Sequence, residues 1–169
     1  MNDDGETPII RASRYGNVDV AKYLVSIGSK IDSTCNSSDT PLIKASSNGR
    51  YDMVNYLLSA GANKEAKNRF GDTALYWAAA NGKLDVVKLL VNKGANKDSK
   101  NLKGKTPLII AAANNHLDVI KYLVGSGADK NAASKFGDTP LSVSNGPVRE
   151  YLRSVGAKDS TAPPRRGFQ

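Results

Sequence analysis

Phe70-Gly-Asp-Thr-Ala-Leu-Tyr-Trp-Ala-Ala-Ala-Asn-Gly-Lys-Leu-Asp-Val-Val-Lys-Leu-Leu-Val-Asn-Lys-Gly-Ala-Asn-Lys-Asp-Ser-Lys-Asn101 decides how this chain is read. Moved 33 positions forward, the same order of residue types returns from Lys103, and moved 33 back it returns from Ser37. Threonines at Thr7, Thr40, Thr73, Thr106 and Thr139 keep the period without a break. A fixed period of this length marks a solenoid, in which short units stack in a row and each touches only its neighbours.

Each unit opens on Thr-Pro, or Thr-Ala at Thr73-Ala74. A threonine hydroxyl can accept a bond from an orphan amide of a helix start, and proline is favoured one position later, where no N–H is needed. A short first helix follows, Leu75 to Asn81 in the third unit, closed by Gly82; Gly16, Gly49 and Asn115 are its equivalents and suit a left-handed helix end. A second helix runs through Val18 to Val25, with counterparts from Asp52, Asp85 and Asp118. Its apolar positions, such as Val86, Val87, Leu89 and Leu90, leave Lys88 to solvent. An aspartate in its first turn complements the helix dipole. The second helices end at Gly28, Gly61, Gly94 and Gly127, and polar stretches return the chain as hairpin-like fingers to the next threonine.

Thr-Pro-Leu, two small residues, a Gly turn, an Asp-Val-Val-Lys-Leu-Leu-type helix and Gly-Ala-Asn or Gly-Ala-Asp together resemble the ankyrin repeat. The likeness covers residues 3–157. It implies an all-α solenoid of stacked helix-turn-helix pairs, with β-hairpin-like fingers at a right angle and a concave groove. Repeats fall at about 1–36, 37–69, 70–102, 103–135 and 136–157. The chain departs from the family where a histidine usually ties neighbouring repeats. Ile10, Ile43, Tyr76, Ile109 and Ser142 stand there, and apolar packing substitutes. Ile31, Lys64, Lys97 and Lys130 occupy a finger position usually held by a small aliphatic residue. The fifth repeat is trimmed near Ser144 to Pro147, and its second helix, Val148 to Ser154, carries Arg149, Glu150 and Arg153, so it reads as a cap. Residues 158–169 lack periodicity and are expected to form a disordered tail.

A net charge of +8 suits acidic partners. Cys35 is the single cysteine, which rules out an intrachain disulfide and fits an intracellular setting, cytoplasm or nucleus. No run reaches the roughly 18 apolar residues of a membrane span, so no membrane partner is expected. One Cys and one His cannot build a Cys/His zinc site. The glycines mark turns rather than a phosphate loop, and the recurring Asp19, Asp52, Asp85 and Asp118 belong to helix starts. His116 takes a structural role by the resemblance. No catalytic set, cofactor or metal is implied.

Surface recognition remains. Positions four, seven and eight after each threonine share one helix face. Among them are Arg11, Arg14 and Tyr15, then Lys44, then Trp77 and Asn81, then Ile110 and Asn114. The resemblance places this face in the groove. The finger tips add Arg69, Phe70 and Asp72, then Leu102, Lys103 and Lys105, then Phe136. These residues break the period while Leu75, Ala78, Ala79 and their equivalents keep it. The groove thus reads as basic near Arg11, Arg14 and Lys44, and apolar near Trp77, Ile110, Phe70, Leu102 and Phe136. A partner protein or peptide with an apolar anchor and acidic residues fits, bound to a monomer; packing of Trp77 as core is the competing account. Lys93, Lys97, Lys100, Lys103 and Lys105, with Lys64, Lys67, Lys130 and Lys135, form a second feature, a basic finger stripe. It could meet an acidic surface or nucleic-acid phosphates, but the absence of a stacking platform disfavours nucleic acid. A spacer, or a segment of a longer array, is the structural alternative.

Overall fold

The computed structural model describes residues 3–159. Ten helices lie among them: α1 (Pro8–Tyr15), α2 (Val18–Ser26), α3 (Pro41–Ser47), α4 (Tyr51–Ser59), α5 (Ala74–Ala80), α6 (Leu84–Asn92), α7 (Pro107–Ala113), α8 (Leu117–Gly125), α9 (Pro140–Val143) and α10 (Gly146–Ser154). The odd-numbered helices stack in one layer and the even-numbered in a second, each pair resting on the next. This is the all-α repeat solenoid that the resemblance implies. No helix among the described residues is long and apolar enough to cross a membrane.

The threonines act as the sequence suggests in four of five repeats. Thr40, Thr73, Thr106 and Thr139 accept bonds from the amides of Ile43, Tyr76, Ile109 and Ser142 at 3.1–3.3 Å. Thr7 makes no such cap and contacts Ser33 Oγ instead, at 3.0 Å. The first helices end in the left-handed conformation at Gly16, Gly49 and Gly82, and Asn115 adopts it without being glycine, at φ 59°. Between the layers lie Leu42, Leu75 and Leu108 from the first helices and Leu57, Leu90 and Leu123 from the second, all at most 1% exposed. Ile10, Ile43, Tyr76 and Ile109, at the position expected to replace a polar tie by packing, are buried; Ser142 is exposed and closes a capping box with Thr139.

The fingers differ from the expectation. No strand is present among the described residues, so they are turns rather than β-hairpins. Two backbone bonds close each tip, as from Asn68 N–H to the Asp72 carbonyl at 3.1 Å and from Gly71 N–H to the Asn68 carbonyl at 2.8 Å, and one joins each tip to its neighbour, as from Leu102 N–H to the Phe70 carbonyl at 3.0 Å. Side chains supply the rest. Asn68 Oδ1 accepts from the amides of Phe70 and Asp72, and Asn101 Oδ1 from those of Lys103 and Lys105. Ser134 Oγ does the same for Phe136 and Asp138. Carbonyl and amide groups are thereby satisfied locally, with no ladder to extend.

The fifth repeat is shortened within its first helix, not only in the turn. α9 has four residues, and extended Ser144 and Asn145 lead into α10 two residues earlier than Val148. Lys158 and Asp159, expected in a tail, are tied to the array: Lys158 N–H donates to Asn131 Oδ1 at 2.8 Å, and Asp159 lies 3.8 Å from Arg149. The rest of that expected tail, residues 160–169, lies outside the described residues.

Candidate functional site

Neighbouring fingers are joined by a repeating pair of side chains. Asn68 Nδ2 donates to Asp39 Oδ1, and Asn101 Nδ2 to Asp72 Oδ1, each at 2.8 Å. In the next repeat Lys105 and Ser134 take the places of Asp and Asn, and Lys105 Nζ lies 3.9 Å from Asp138. The ladder therefore changes sign along the array, from buried carboxylate to cation.

At this change lies a cavity of about 270 Å³ between the fingers that lead into the third and fourth repeats, lined by Phe70, Asp72, Tyr76, Asn101, Leu102, Lys103 and Lys105. Phe70 and Leu102 remain 49% and 63% exposed at its rim. Both sit at turn tips. Arg69 stands over the Phe70 ring, 4.8 Å from its centroid, a cation–π contact that fixes the ring. Tyr76 forms the inner wall. Burial pushes its hydroxyl up to about 12, the Asp72 charge adds to this, and the Asn101 amide opposes it.

Asp39 and Asp72 hold equivalent places with opposite results. Burial pushes Asp39 up, but bonds from Lys44, Ser37 and Asn68, with the charge of Lys44, outweigh it and leave the carboxyl below its ordinary value. Burial also pushes Asp72 up; there the Asn101 bond and Lys103 charge do not compensate, and repulsion from Asp39 adds to the rise. The difference traces to two positions: Ser37 Oγ donates to Asp39 at 2.6 Å where Phe70 precedes Asp72, and the second is that of Lys44. Lys44 Nζ reaches Asp39 Oδ2 at 2.8 Å, whereas Trp77 follows Asp72 at the same spacing and carries no charge.

The structure redistributes the residues singled out in the sequence. The basic end is largely neutralised: Arg14 pairs with Glu6 at 2.5 Å and Lys44 with Asp39, leaving Arg11 without an ion pair among the described residues. Arg11 and Tyr15 line a different cavity at the end of the array, with Pro8 and Val20. Trp77 and Ile110 are half-buried against the core, and Trp77 meets the Tyr76 ring edge-on at 6.1 Å. Its indole N–H is buried and makes no hydrogen bond among the described residues. Asn81 and Asn114 donate across repeats to Ser47 and to the Ala80 carbonyl, as does the His116 ring at 2.9 Å, so these side chains splice first-helix ends together. Phe136 is exposed on the next finger.

Tyr76 and Asn101 were absent from the sequence-derived set. Tyr76 stands at a packing position, and only the recurrence of Asp39 with Asn68 in Asp72 with Asn101 could have pointed to the pair. The basic stripe is also partly structural. Lys67 and Lys100 donate to the carbonyls of Lys100 and Ala133 at 2.9 and 3.3 Å, and Lys130 to that of Val155. Cys35, buried at the turn position of Asn68 and Asn101, contacts Ser37 Oγ at 3.0 Å.

A family model described as ankyrin repeats (three copies) matches residues 1–68 and 61–134. Comparison with curated proteins gives no match.

Proposed function

The chain belongs to the ankyrin repeat family, and on that premise we propose that it is a non-enzymatic module that holds a partner protein or peptide in the cleft between the fingers that lead into its third and fourth repeats. Ankyrin repeats generally mediate protein–protein interaction. The observation that carries the reading is the exposure of Phe70 and Leu102 around one cavity whose rim bears Lys103 and Lys105. Large apolar side chains rimmed by charge are where binding energy concentrates, because the anchor is desolvated and the rim excludes water. The partner segment presents one apolar or aromatic side chain to this cavity and acidic residues to Lys103 and Arg69. Arg14 and Lys44, already paired, contribute little to recognition. An intracellular setting suits the free, buried Cys35. A nucleic-acid role finds less support, since Lys67, Lys100 and Lys130 are engaged by backbone carbonyls.

Selection of a random peptide library on the immobilised chain tests this. The expected product is a motif with a single Leu, Phe or Trp flanked by Asp or Glu. Its affinity should fall at least about tenfold, some 1.4 kcal/mol, for the Phe70→Ala, Leu102→Ala double variant. Both residues are exposed, so the fold should survive their truncation. Equal binding by the double variant would move the site elsewhere, and a failure to enrich any motif would favour a spacer.

A further inference from the structure

The residue before each repeat threonine is Glu6, Asp39, Asp72, Lys105 or Asp138. Three of the four acids stand beside a cation: Glu6 beside Arg14 at 2.5 Å, Asp39 beside Lys44 at 2.8 Å and Asp138 beside Lys105 at 3.9 Å. Asp72 forms no ion pair among the described residues. It is 5% exposed, and its Oδ1 accepts from Asn101 Nδ2 at 2.8 Å. Its Oδ2 accepts no bond among the described residues and, unlike the indole nitrogen of Trp77, is not sealed from solvent.

The preceding finger shows what this oxygen takes. Asp39 Oδ2 accepts from the Ser37 hydroxyl at 2.6 Å and from Lys44 Nζ at 2.8 Å. The same two positions about Asp72 hold Phe70 and Trp77, and neither side chain donates to it. Phe70 lines the cleft together with Asp72. Where the earlier finger has a hydroxyl, this one therefore has an apolar wall beside an acceptor short of donors.

We propose, on the reading of this cleft as the binding site, that its anchor is a tryptophan whose indole N–H donates to Asp72 Oδ2, in the place that the Ser37 hydroxyl takes in the finger before. An ionised carboxylate only accepts and an indole nitrogen only donates, so the two match. Phe70 and Leu102 supply apolar walls for the ring. A leucine or phenylalanine would fill the same walls but strip Oδ2 of water and leave it unpaired, which is costly for a charged acceptor. A tyrosine hydroxyl would donate, but it brings lone pairs of its own that need donors in the same cleft. A lysine or arginine would donate as Lys44 does, but Arg69, Lys103 and Lys105 already surround the cleft, and another cation there is repelled where a neutral donor is not. The cavity, about 270 Å³, is below the roughly 300 Å³ at which small-molecule sites begin, so it is of a size for one large side chain. Asn101 fixes the polarity of the contact. Its Oδ1 accepts from the amides of Lys103 and Lys105, so its Nδ2 is the atom turned to Asp72. Asparagine in place of Asp72 would give its carbonyl to Asn101 and turn its own NH2 to the cleft, donor against donor.

Peptides selected from a random library on the native chain, with affinities measured by titration calorimetry, test this. The enriched anchor should be tryptophan. Exchanging it for 3-benzothienylalanine, in which sulfur replaces the indole N–H in a ring of the same shape, should weaken binding to the native chain at least about tenfold. On Asp72→Asn the two peptides should bind alike, so that the change in the peptide and the change in the chain are coupled rather than additive. Far-UV circular dichroism shows whether Asp72→Asn is folded, and the two peptides on the native chain decide the matter without it. An anchor other than tryptophan, lost with Phe70→Ala, Leu102→Ala, would keep the cleft as the site and overturn the indole contact. Equal affinity of the two peptides for the native chain, or an undiminished preference for the indole in folded Asp72→Asn, would overturn it as well. A library that yields no motif, or a motif indifferent to Phe70→Ala, Leu102→Ala, would remove the cleft as the site and this contact with it.

Discussion

Asp39 and Asp72 show how two neighbours reverse the behaviour of a buried carboxylate. Asp39 lies below its ordinary value of 3.8, so its ionised form favours the folded chain. That stability is present above 3.8 and is lost as pH falls through the lower folded value. Asp72 lies above 3.8, so the protonated form favours folding; its contribution is full below 3.8 and is lost as pH rises through the folded value. Asp39→Asn should therefore cost about 1–2 kcal/mol at pH 7, the scale of a charge-assisted bond, and progressively less in strong acid. Asp72→Asn should be neutral or stabilising at pH 7. Urea titrations of both variants at pH 7 and pH 3 measure this, and equal losses at pH 7 would refute the assignment. The recurrence of the Asp–Asn pair is legible in the sequence. The opposite signs are not, because they depend on the reach of Lys44 and of the Ser37 hydroxyl, where Trp77 and Phe70 stand beside Asp72, and these are properties of folded positions. Arg14 likewise reads as a free cation until Glu6 is seen buried beside it.

The helix pairs were legible because their stops and starts are chemically explicit. Threonine caps, prolines after them and left-handed glycines recur in phase, and the structure agrees to within a residue or two at most boundaries. The fingers were not. Asn68, Asn101 and Ser134 close those turns through their side chains, and such bonds leave no alternation of apolar and polar residues by which a turn could be told from a hairpin. α9 is also shorter than the sequence suggests: the chain turns extended at Ser144, after four helical residues. Glycines distinguish the two kinds of element. Gly71 has φ +78°, and an added Cβ would lie 2.8 Å from the Leu102 backbone nitrogen, which is held by the bond joining neighbouring fingers. Gly71→Ala should destabilise by at least about 1–2 kcal/mol, the cost of left-handed backbone alone. Gly125 is helical with open space around its Cβ position. Gly125→Ala should stabilise by about 0.5–1 kcal/mol. Thermal unfolding of the two variants measures both, and a loss of stability in Gly125→Ala would show that its helix end is constrained by something other than propensity.

The principal helix contacts run between consecutive repeats, and the hydrogen bonds repeat that order. Asp32, Glu65, Asp98 and Asn131 each accept the backbone amide that starts the following loop, from Asn63, Asn96, Asp129 and Lys158, at 2.8–3.1 Å. Stability in such an array is a sum of unit and neighbour-interface contributions. A lesion in the middle weakens two interfaces, and a lesion at the end weakens one. Leu90 and Leu152 allow the comparison, since both are fully buried at the same register position, in α6 and α10. Truncation to alanine should cost about 2–5 kcal/mol at either site. The cost at Leu152 falls on a repeat whose first helix has only four residues, so α9 and α10 should open by themselves. Hydrogen exchange would then show faster exchange in α9 and α10 of Leu152→Ala, with α3 to α7 protected as in the native chain. Leu90→Ala should lower protection on both sides of α6 and reduce the global unfolding midpoint. Uniform loss of protection in Leu152→Ala would mean that the five repeats unfold as a single cooperative unit, with interfaces stronger than the repeats they join.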